Sequence, residues 1–346
     1  MTISTDSQTH FNLYIAIIFV LLLSFLEYRL VILLHADDLN QLIAAAYGIT
    51  IGEPHWRVYQ NRLLGPFSVK LMAEFFQMTY AHIYLFVMMG LLLIQNLLFF
   101  YLFYHLTSDK RLSLRYTFYF VACFVALQHT TWLYLWDYID IIVFTLLIYG
   151  ILRHHKTGFF GLVFVFAILN KESALFIALW LILDALIEKS EPHRFQLAFK
   201  LRDFKRLLFG IILLGGGICF VEWIREMLFI KSVAGSAQLT GIEYGKYIHF
   251  KLFLNLKTFV YNFYIPTFRL NFLISLLVLF LPLVALIKSK NAEDIIFKII
   301  LLFLAIYSTI ILFGLLNETR VYNILIPFVI FLSAYFSGHL IPPKKV

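Results

Sequence analysis

Two adjacent carboxylates, Asp37 and Asp38, stand where the first long apolar run of the chain ends. The run from 11 to 34 is long enough to cross a bilayer, so it delivers both carboxylates to a membrane surface. Such a pair can supply a general base for an acceptor hydroxyl or bind a divalent cation. An aspartate before a helical run is also a favoured N-cap, and Asp38 with Gln41 forms a capping-box pattern. Capping accounts for Asp38 and leaves Asp37 unexplained.

Basic residues in polar interruptions of the apolar sequence are candidates for binding a phosphate group. They are Arg57, Arg62, Lys171 and Arg320. Guanidinium groups bind phosphate bidentately, and Lys171 can hold an anionic group of a substrate. The alternative for Arg57 and Arg62 is that they extend to the lipid headgroups. The alternative for Lys171 is a plain turn between two helices.

Four further carboxylates accompany these cations: Glu172 is grouped with the binding residues, and the possible supporting residues are Asp137, Asp140 and Glu318. Glu172 follows Lys171 and could form a buried pair with it, and Glu318 with Arg320 either closes a loop or positions a second phosphate ligand. Asp137 and Asp140 are spaced i, i+3 and share one helix face. Capping explains Asp137 well and Asp140 poorly.

The composition places these residues in a membrane protein. The chain of 346 residues is 62% hydrophobic and only 14% charged, and its apolar residues come in long blocks. This predicts an all-α polytopic protein of about ten transmembrane helices. The predicted spans are 11–34, 82–104, 115–132, 134–152, 158–169, 173–188, 207–230, 267–287, 296–316 and 321–338. Although the net charge is +8, the basic residues lie between spans, which excludes a nucleic-acid partner.

The distribution of lysine and arginine predicts how the chain lies in the membrane. More than half of these residues fall in the connections after the second, fourth, sixth and eighth spans and at the chain end. The positive-inside rule then places both termini in the cytoplasm and the polar candidate residues on the outer face. We expect a single membrane domain over 1–346 with large outer loops at 35–81 and 231–266. The first loop can hold surface helices at 38–48 and 66–76.

The segment 158–188 is the weak point of this topology. We predict two short helices broken at Asn170 to Glu172, because a helix break is tolerated where it lines a polar cavity. A single merged span would instead reverse the orientation of everything downstream. Glu27 and Arg29, near the end of the first span, could pair with each other or with Asp137 and Asp140.

Four short motifs carry a family resemblance. They are His35 to Asp38, Asn61 to Pro66, Asn170 to Phe176 and Glu318 to Tyr322. Their order resembles that of the GT-C superfamily of integral-membrane glycosyltransferases, in particular of small bacterial members. That superfamily has an acidic motif just after the first membrane helix, in a loop with helices along the membrane surface. We expect this chain to lack the soluble C-terminal domain that many members carry, which leaves the acceptor open and permits a diverged or inactive relative.

The resemblance implies a transfer reaction in cell-envelope polysaccharide biosynthesis. The donor would be a sugar on a polyprenyl phosphate, and the acceptor a glycan, lipid or protein, met at the outer face of a bacterial inner membrane. Asp37 would be the base, with Asp38 second. Arg62, Lys171 and Arg320 would face the leaving phosphate. A divalent ion (magnesium or manganese) on Asp37 and Asp38 could share that role. The competing hypotheses are a transporter or flippase for a lipid-linked saccharide and a non-catalytic assembly subunit.

Overall fold

The described residues of the protein form a helical bundle with one two-stranded ladder. The computed structural model describes residues 13–54, 61–128, 133–189, 197–227, 250–264, 280–316 and 318–340. Its helices are α1 (Leu13–Leu34), α2 (Leu39–Thr50), α3 (Leu64–Phe76), α4 (Tyr80–Thr107), α5 (Lys110–Ala126), α6 (Leu135–Leu152), α7 (Thr157–Ile168), α8 (Leu175–Leu186), α9 (Phe204–Met227), α10 (Leu252–Tyr264), α11 (Phe280–Ser289), α12 (Asp294–Phe313) and α13 (Ile326–Phe336). Short 3-10 helices cover Glu172–Ala174 and Thr319–Leu325.

Six stretches of the described chain are long and apolar enough to cross a membrane, which supports an integral membrane protein. They are Leu13–Leu34, Tyr80–Thr107, Leu135–Leu152, Phe204–Glu226, Asp294–Phe313 and Thr319–Phe336. The expected count of ten is not reached, because the remaining described helices are shorter and part of the predicted span 267–287 lies outside the described residues. The segment predicted as the first outer loop does form helices α2 and α3, close to the predicted bounds.

The turn between α4 and α5 shows how local sequence sets the helix ends. Ser108 adopts a left-handed backbone conformation with φ 58° and ends α4. The Asp109 carboxylate then accepts hydrogen bonds from the backbone N–H groups of Arg111 and Leu112, at 2.9 and 3.0 Å. Aspartate is a preferred N-cap because its oxygen satisfies first-turn N–H groups that have no partner within the helix.

The chain reverses between α7 and α8, as the sequence predicts. Arg206 at the start of α9 pairs with Asp184 near the end of α8, at 3.1 Å. The same guanidinium lies 5.4 Å from the ring centroid of Phe160 at the start of α7. The start of α7 and the end of α8 therefore lie at one end of the bundle, and the break at Asn170 to Glu172 lies at the other.

The sequence did not predict the β-ladder. Strand β1 (Ile187–Lys189) pairs antiparallel with β2 (Leu197–Phe199). The backbone N–H of Lys189 donates to the Asp294 carboxylate at 2.9 Å, which fastens the ladder to the start of α12. Each strand is only three residues long, which is too short for an alternation of apolar and polar residues to be recognised in the sequence.

Helix α6 forms the centre of the bundle. Of the residues in an apolar stretch of 18 in α6, 83% are buried, whereas in the corresponding stretch of α1 only 22% are buried. Helix α6 packs against α4, α7 and α13. An all-apolar interior would need no polar side chain there, yet the first two turns of α6 carry Asp137 and Asp140, both buried. The most buried helix therefore presents two carboxylates at one end of the bundle.

Candidate functional site

The candidate site is assembled where α3, α6, the α7–α8 break and the 3-10 helix before α13 meet. The backbone N–H groups of Leu63 and Leu64 both donate to the carbonyl of Leu169 at 3.0 Å. These two hydrogen bonds hold the segment containing Asn61 and Arg62 against the end of α7. Residues more than a hundred positions apart in the sequence are thereby brought side by side.

Lys171 lies between two carboxylates at the centre of the site. Its Nζ is 3.3 Å from Oδ1 of Asp137 and 3.0 Å from Oδ2 of Asp140. Both aspartates are buried, with side chains 4% and 1% exposed. Burial acts to lower the pKa of Lys171, but the negative charges of Asp140 and Asp137 outweigh it and raise the pKa above the usual range. Lys171 is therefore a fixed positive charge at neutral pH.

Neutral groups complete the surroundings of Asp140. Its Oδ1 accepts hydrogen bonds from Asn170 Nδ2 at 3.0 Å and from Ser173 Oγ at 2.9 Å. Asn170 also donates to the backbone carbonyl of Trp136 at 2.8 Å. A buried carboxylate is stable only with such partners. The residues around the helix break therefore form hydrogen bonds to α6 in addition to forming a turn.

Arg62 pairs with Glu172 rather than standing alone. The two side chains approach to 3.5 Å, and Asn61 Nδ2 donates to the other Glu172 oxygen at 2.9 Å. Burial acts to raise the pKa of Glu172, but the charges of Arg62, Arg225 and Lys171 outweigh it and lower the pKa to about 2. Glu172 is ionised at neutral pH.

Two arginines of the site lie over a pair of stacked aromatic rings. The rings of Tyr134 and Trp136 are 4.3 Å apart and 14° from parallel. Arg62 lies 5.2 Å from the centroid of the Trp136 ring, and Arg320 lies 4.8 Å from the centroid of the Tyr134 ring. Cation–π contacts of this kind are favourable when the groups are shielded from water. The ring pair fixes the positions of both guanidinium groups.

Arg320 joins the site to the loop before α13. Its Nε donates to Glu318 Oε1 at 2.7 Å, and its Nη1 lies 3.5 Å from Oδ2 of Asp137. The predicted Glu318–Arg320 pair is therefore formed. Asp137 is shared: it contacts Lys171 and Arg320 and also accepts the backbone N–H of Tyr134 at 3.1 Å, as expected for a capping residue.

No family model, curated protein or solved structure matches this chain.

Asp37 and Asp38 lie outside the ion-pair network. Asp37 is exposed and Asp38 half-buried, and neither forms an ion pair with a described residue. Asp38 occupies the N-cap position of α2, but its side chain makes no capping hydrogen bond. Helix α2 itself packs on Tyr134 and Trp136 through its buried apolar face. The two carboxylates are therefore attached to the ring pair by one short helix, with their oxygens unused by other described residues.

The structure corrects two expected pairings. Lys171 does not pair with its neighbour Glu172, because the chain at the helix break turns Lys171 towards α6 and Glu172 towards Arg62. Glu27 does not pair with Arg29, since Glu27 is buried and accepts a hydrogen bond from Asn96, whereas Arg29 is exposed. Arg57 lies outside the described residues.

Arg225 is a site residue that the sequence analysis missed. It lies near the end of α9, pairs with Glu222 at 2.7 Å and contributes to the low pKa of Glu172. Its side chain is 16% exposed. An arginine close to the outer end of a predicted span is a signal that could have identified it. It was indistinguishable in sequence from an arginine reaching to the lipid headgroups.

The charges of the site define what it can do chemically. Each cation contacts a carboxylate, and the buried centre of Asp137, Asp140 and Lys171 is satisfied internally. The carboxylates that remain accessible are Glu172 and Glu318, with side chains 38% and 27% exposed. An anionic ligand could therefore reach Arg62 and Arg320 by displacing these two. Among the described residues no group of three or more His, Cys, Asp or Glu converges on one point.

Proposed function

We propose that this protein is a membrane glycosyltransferase that moves a sugar from a polyprenyl-phosphate donor to an acceptor at the outer face of the bilayer. One observation carries the proposal: Arg62 lies over the Trp136 ring and Arg320 over the Tyr134 ring of one stacked pair. Cations held on aromatic rings at the end of a membrane-embedded bundle suit a lipid phosphate with a sugar attached. The bacterial inner membrane and cytoplasmic termini belong to the same proposal.

Arg62 and Arg320 would bind the phosphate of the donor. Each is paired with a partly exposed carboxylate, Glu172 or Glu318, that can turn towards water when the phosphate arrives. The guanidinium fork favours phosphate because two parallel hydrogen bonds form at once. Lys171 would add a fixed positive charge behind them, so that the charge developing on the leaving phosphate is stabilised.

Asp37 would act as the general base. Its exposed carboxylate is not used by another described residue, so it is available to an acceptor hydroxyl. In the transfer, the hydroxyl oxygen forms a bond to the anomeric carbon and its proton goes to Asp37. The bond from the anomeric carbon to the phosphate oxygen breaks, and the lipid phosphate leaves with the electron pair. Asp38 is the second candidate for the base.

Asp37 and Asp38 could hold a divalent ion only in an open site, in which other ligands come from substrate and water. Magnesium is commonly held by one or two carboxylates together with substrate phosphate and water. The two aspartates are adjacent and have no ion-pair partner among the described residues. A bound ion would neutralise charge on the donor phosphate; the transfer above does not require it.

The experiment is a transfer assay with purified full-length protein in lipid nanodiscs. A panel of polyprenyl-phosphate-linked hexoses is supplied, and released polyprenyl phosphate is measured by mass spectrometry. We expect Asp37→Asn to reduce release about 10²- to 10⁴-fold, as for loss of a general base, with unchanged melting. The matched control is Glu74→Gln, an exposed carboxylate on α3. Full activity of both Asp37→Asn and Asp38→Asn would refute the base.

A transporter or flippase for a lipid-linked saccharide is the second candidate. It is favoured by polar side chains buried within the spans, among them Glu27 and Asn96. The same nanodisc preparation separates the two functions, because a transporter leaves the sugar–phosphate bond intact. Movement of intact donor between the leaflets of a proteoliposome, without polyprenyl phosphate release, would replace the enzyme hypothesis.

A further inference from the structure

Glu27 is a carboxyl group within a membrane-spanning helix. It lies about two turns before α1 ends at Leu34, or about 10 Å along the helix axis. The residue is 1% exposed, so it faces the interior of the bundle rather than lipid. An ionised carboxylate at this depth is costly unless a cation pairs with it. Its surroundings therefore decide which form it takes.

The described groups that contact Glu27 are neutral. Asn96 Nδ2 donates to Oε2 of Glu27 and, at 3.0 Å, to Oγ of Ser24. The Ser24 hydroxyl donates in turn to the carbonyl of Val20 at 2.8 Å. Within the described helices no lysine or arginine nitrogen lies at ion-pair distance from Glu27. The free-energy cost of burying an ionised Glu27 carboxylate is therefore not offset by an opposite charge among these groups.

Two oxygens in this cluster lack a hydrogen-bond partner, Oε1 of Glu27 and Oδ1 of Asn96, and both residues are almost fully buried. Both atoms only accept hydrogen bonds while the carboxyl is ionised. A proton on Oε1 converts one of them into a donor and removes the charge. A metal cation suits the cluster poorly, because the group that Asn96 turns towards the carboxyl is its N–H donor.

The titratable groups near Glu27 are tyrosines. Tyr138 of α6 is buried with an unpartnered hydroxyl and lies within electrostatic reach of both Glu27 and Asp137. Tyr84 of α4 and Tyr28 of α1 also lie within electrostatic reach of Tyr138, and Tyr28 is the residue after Glu27. Helix α5 also packs on α1, and its sequence from Tyr116 to Ala126 contains no carboxylate or amine. Arg29 is exposed and faces away.

We propose that Glu27 is a proton-binding site in the membrane interior, held as the neutral acid by its burial without a cation partner among the described residues and linked to the ion-pair site through Tyr138. The proposal does not depend on the glycosyltransferase function. It adds a bound proton to the interior of the bundle near Tyr138. The residue next to Tyr138 along α6 is Asp137, which contacts Lys171 and Arg320. A proton carrier at this depth is also what a proton-coupled transporter would require.

Infrared spectroscopy tests the proposal on the full-length protein in nanodiscs. The carbonyl stretch of a protonated carboxyl is distinct from that of a carboxylate. We expect the wild-type protein at neutral pH to show such a band, which Glu27→Gln removes and which the control Glu74→Gln leaves intact. Glu27→Gln keeps the acceptor oxygen for Asn96 and therefore preserves the fold. A band unchanged by Glu27→Gln in a folded protein would overturn the proposal.

Carbodiimide labelling provides a second readout. Dicyclohexylcarbodiimide reacts with protonated carboxyls in apolar surroundings, and peptide mass mapping identifies the modified residue. We expect labelling of Glu27 that falls as the pH is raised and is unaffected by sodium chloride in place of choline chloride. Protection by sodium would show that the site binds a metal cation instead of a proton. Sugar transfer is not part of either measurement, so failure here and failure of the proposed enzyme are distinguishable.

Discussion

The ammonium of Lys171 lies 3.0 Å from Oδ2 of Asp140, although Lys171 sits in the break between α7 and α8 and Asp140 in the first turns of α6. Asp140 is buried, and Asn170 and Ser173 occupy its other oxygen. This pair fastens the helix break to the most buried helix of the bundle. The helix break is therefore held against α6 by an ion pair and two hydrogen bonds.

Replacing Lys171 should destabilise the protein. Lys171→Met leaves the buried Asp140 without a cation and leaves Asp137 with Arg320 alone, which costs about 3 kcal/mol as for other broken buried pairs. The matched control is Lys200→Met, because the Lys200 side chain is 72% exposed and its pair with Glu188 should contribute less than about 1 kcal/mol. Thermal unfolding in the same detergent compares them. Equal melting temperatures for the two variants would contradict the structural role of Lys171.

Glu172 should make stability depend on pH on the acid side. Its pKa in the folded protein is about 2, below the ordinary value of 4.5, so the unfolded chain binds the proton first. The stabilisation is complete above the ordinary pKa and is lost as the pH falls from there towards 2. The melting temperature of the wild type should therefore fall more steeply over this window than that of Glu172→Gln. Parallel curves would show that Glu172 is not held by Arg62.

Arg320→Lys should weaken donor binding if the proposed function holds. Lysine keeps the charge but loses the fork that contacts Glu318 and the flat face over Tyr134. We expect KM for the polyprenyl-phosphate donor to rise about tenfold, or 1.4 kcal/mol, with a smaller change in kcat. Arg111→Lys, an exposed position at the start of α5, is the control. An unchanged KM would remove Arg320 from the phosphate site.

Gly48 should resist substitution, whereas Gly90 should not. A Cβ at Gly48 would lie 2.5 Å from the backbone carbonyl oxygen of Glu53, and backbone cannot move aside cheaply. Gly48→Ala should cost about 1–3 kcal/mol and disturb α2 on the ring pair. A Cβ at Gly90 in α4 meets no atom within 4 Å, so Gly90→Ala should be neutral or stabilising by up to about 1 kcal/mol. Similar losses for both would indicate a different packing of α2.

The sequence alone determined the membrane character, most helix positions and the break at Asn170 to Glu172. These follow from local causes: long apolar blocks, capping residues and short polar interruptions each act over a few neighbouring positions. The grouping of Arg62, Lys171 and Arg320 at one end was also predictable, because loop charges fix the side on which each connection lies.

Only the tertiary structure decided which charges meet. Asp137 and Asp140 looked like supporting residues in sequence, yet they hold Lys171 at the buried centre of the site. The contact of Arg225 with the site, the positions of Arg62 and Arg320 over the Tyr134–Trp136 rings, and the Glu27–Asn96 hydrogen bond depend on segments separated by tens of residues. A spacing rule describes one helix face, whereas an ion pair is chosen by the packing angle and rotation of two helices. That choice is made by burial over the whole bundle.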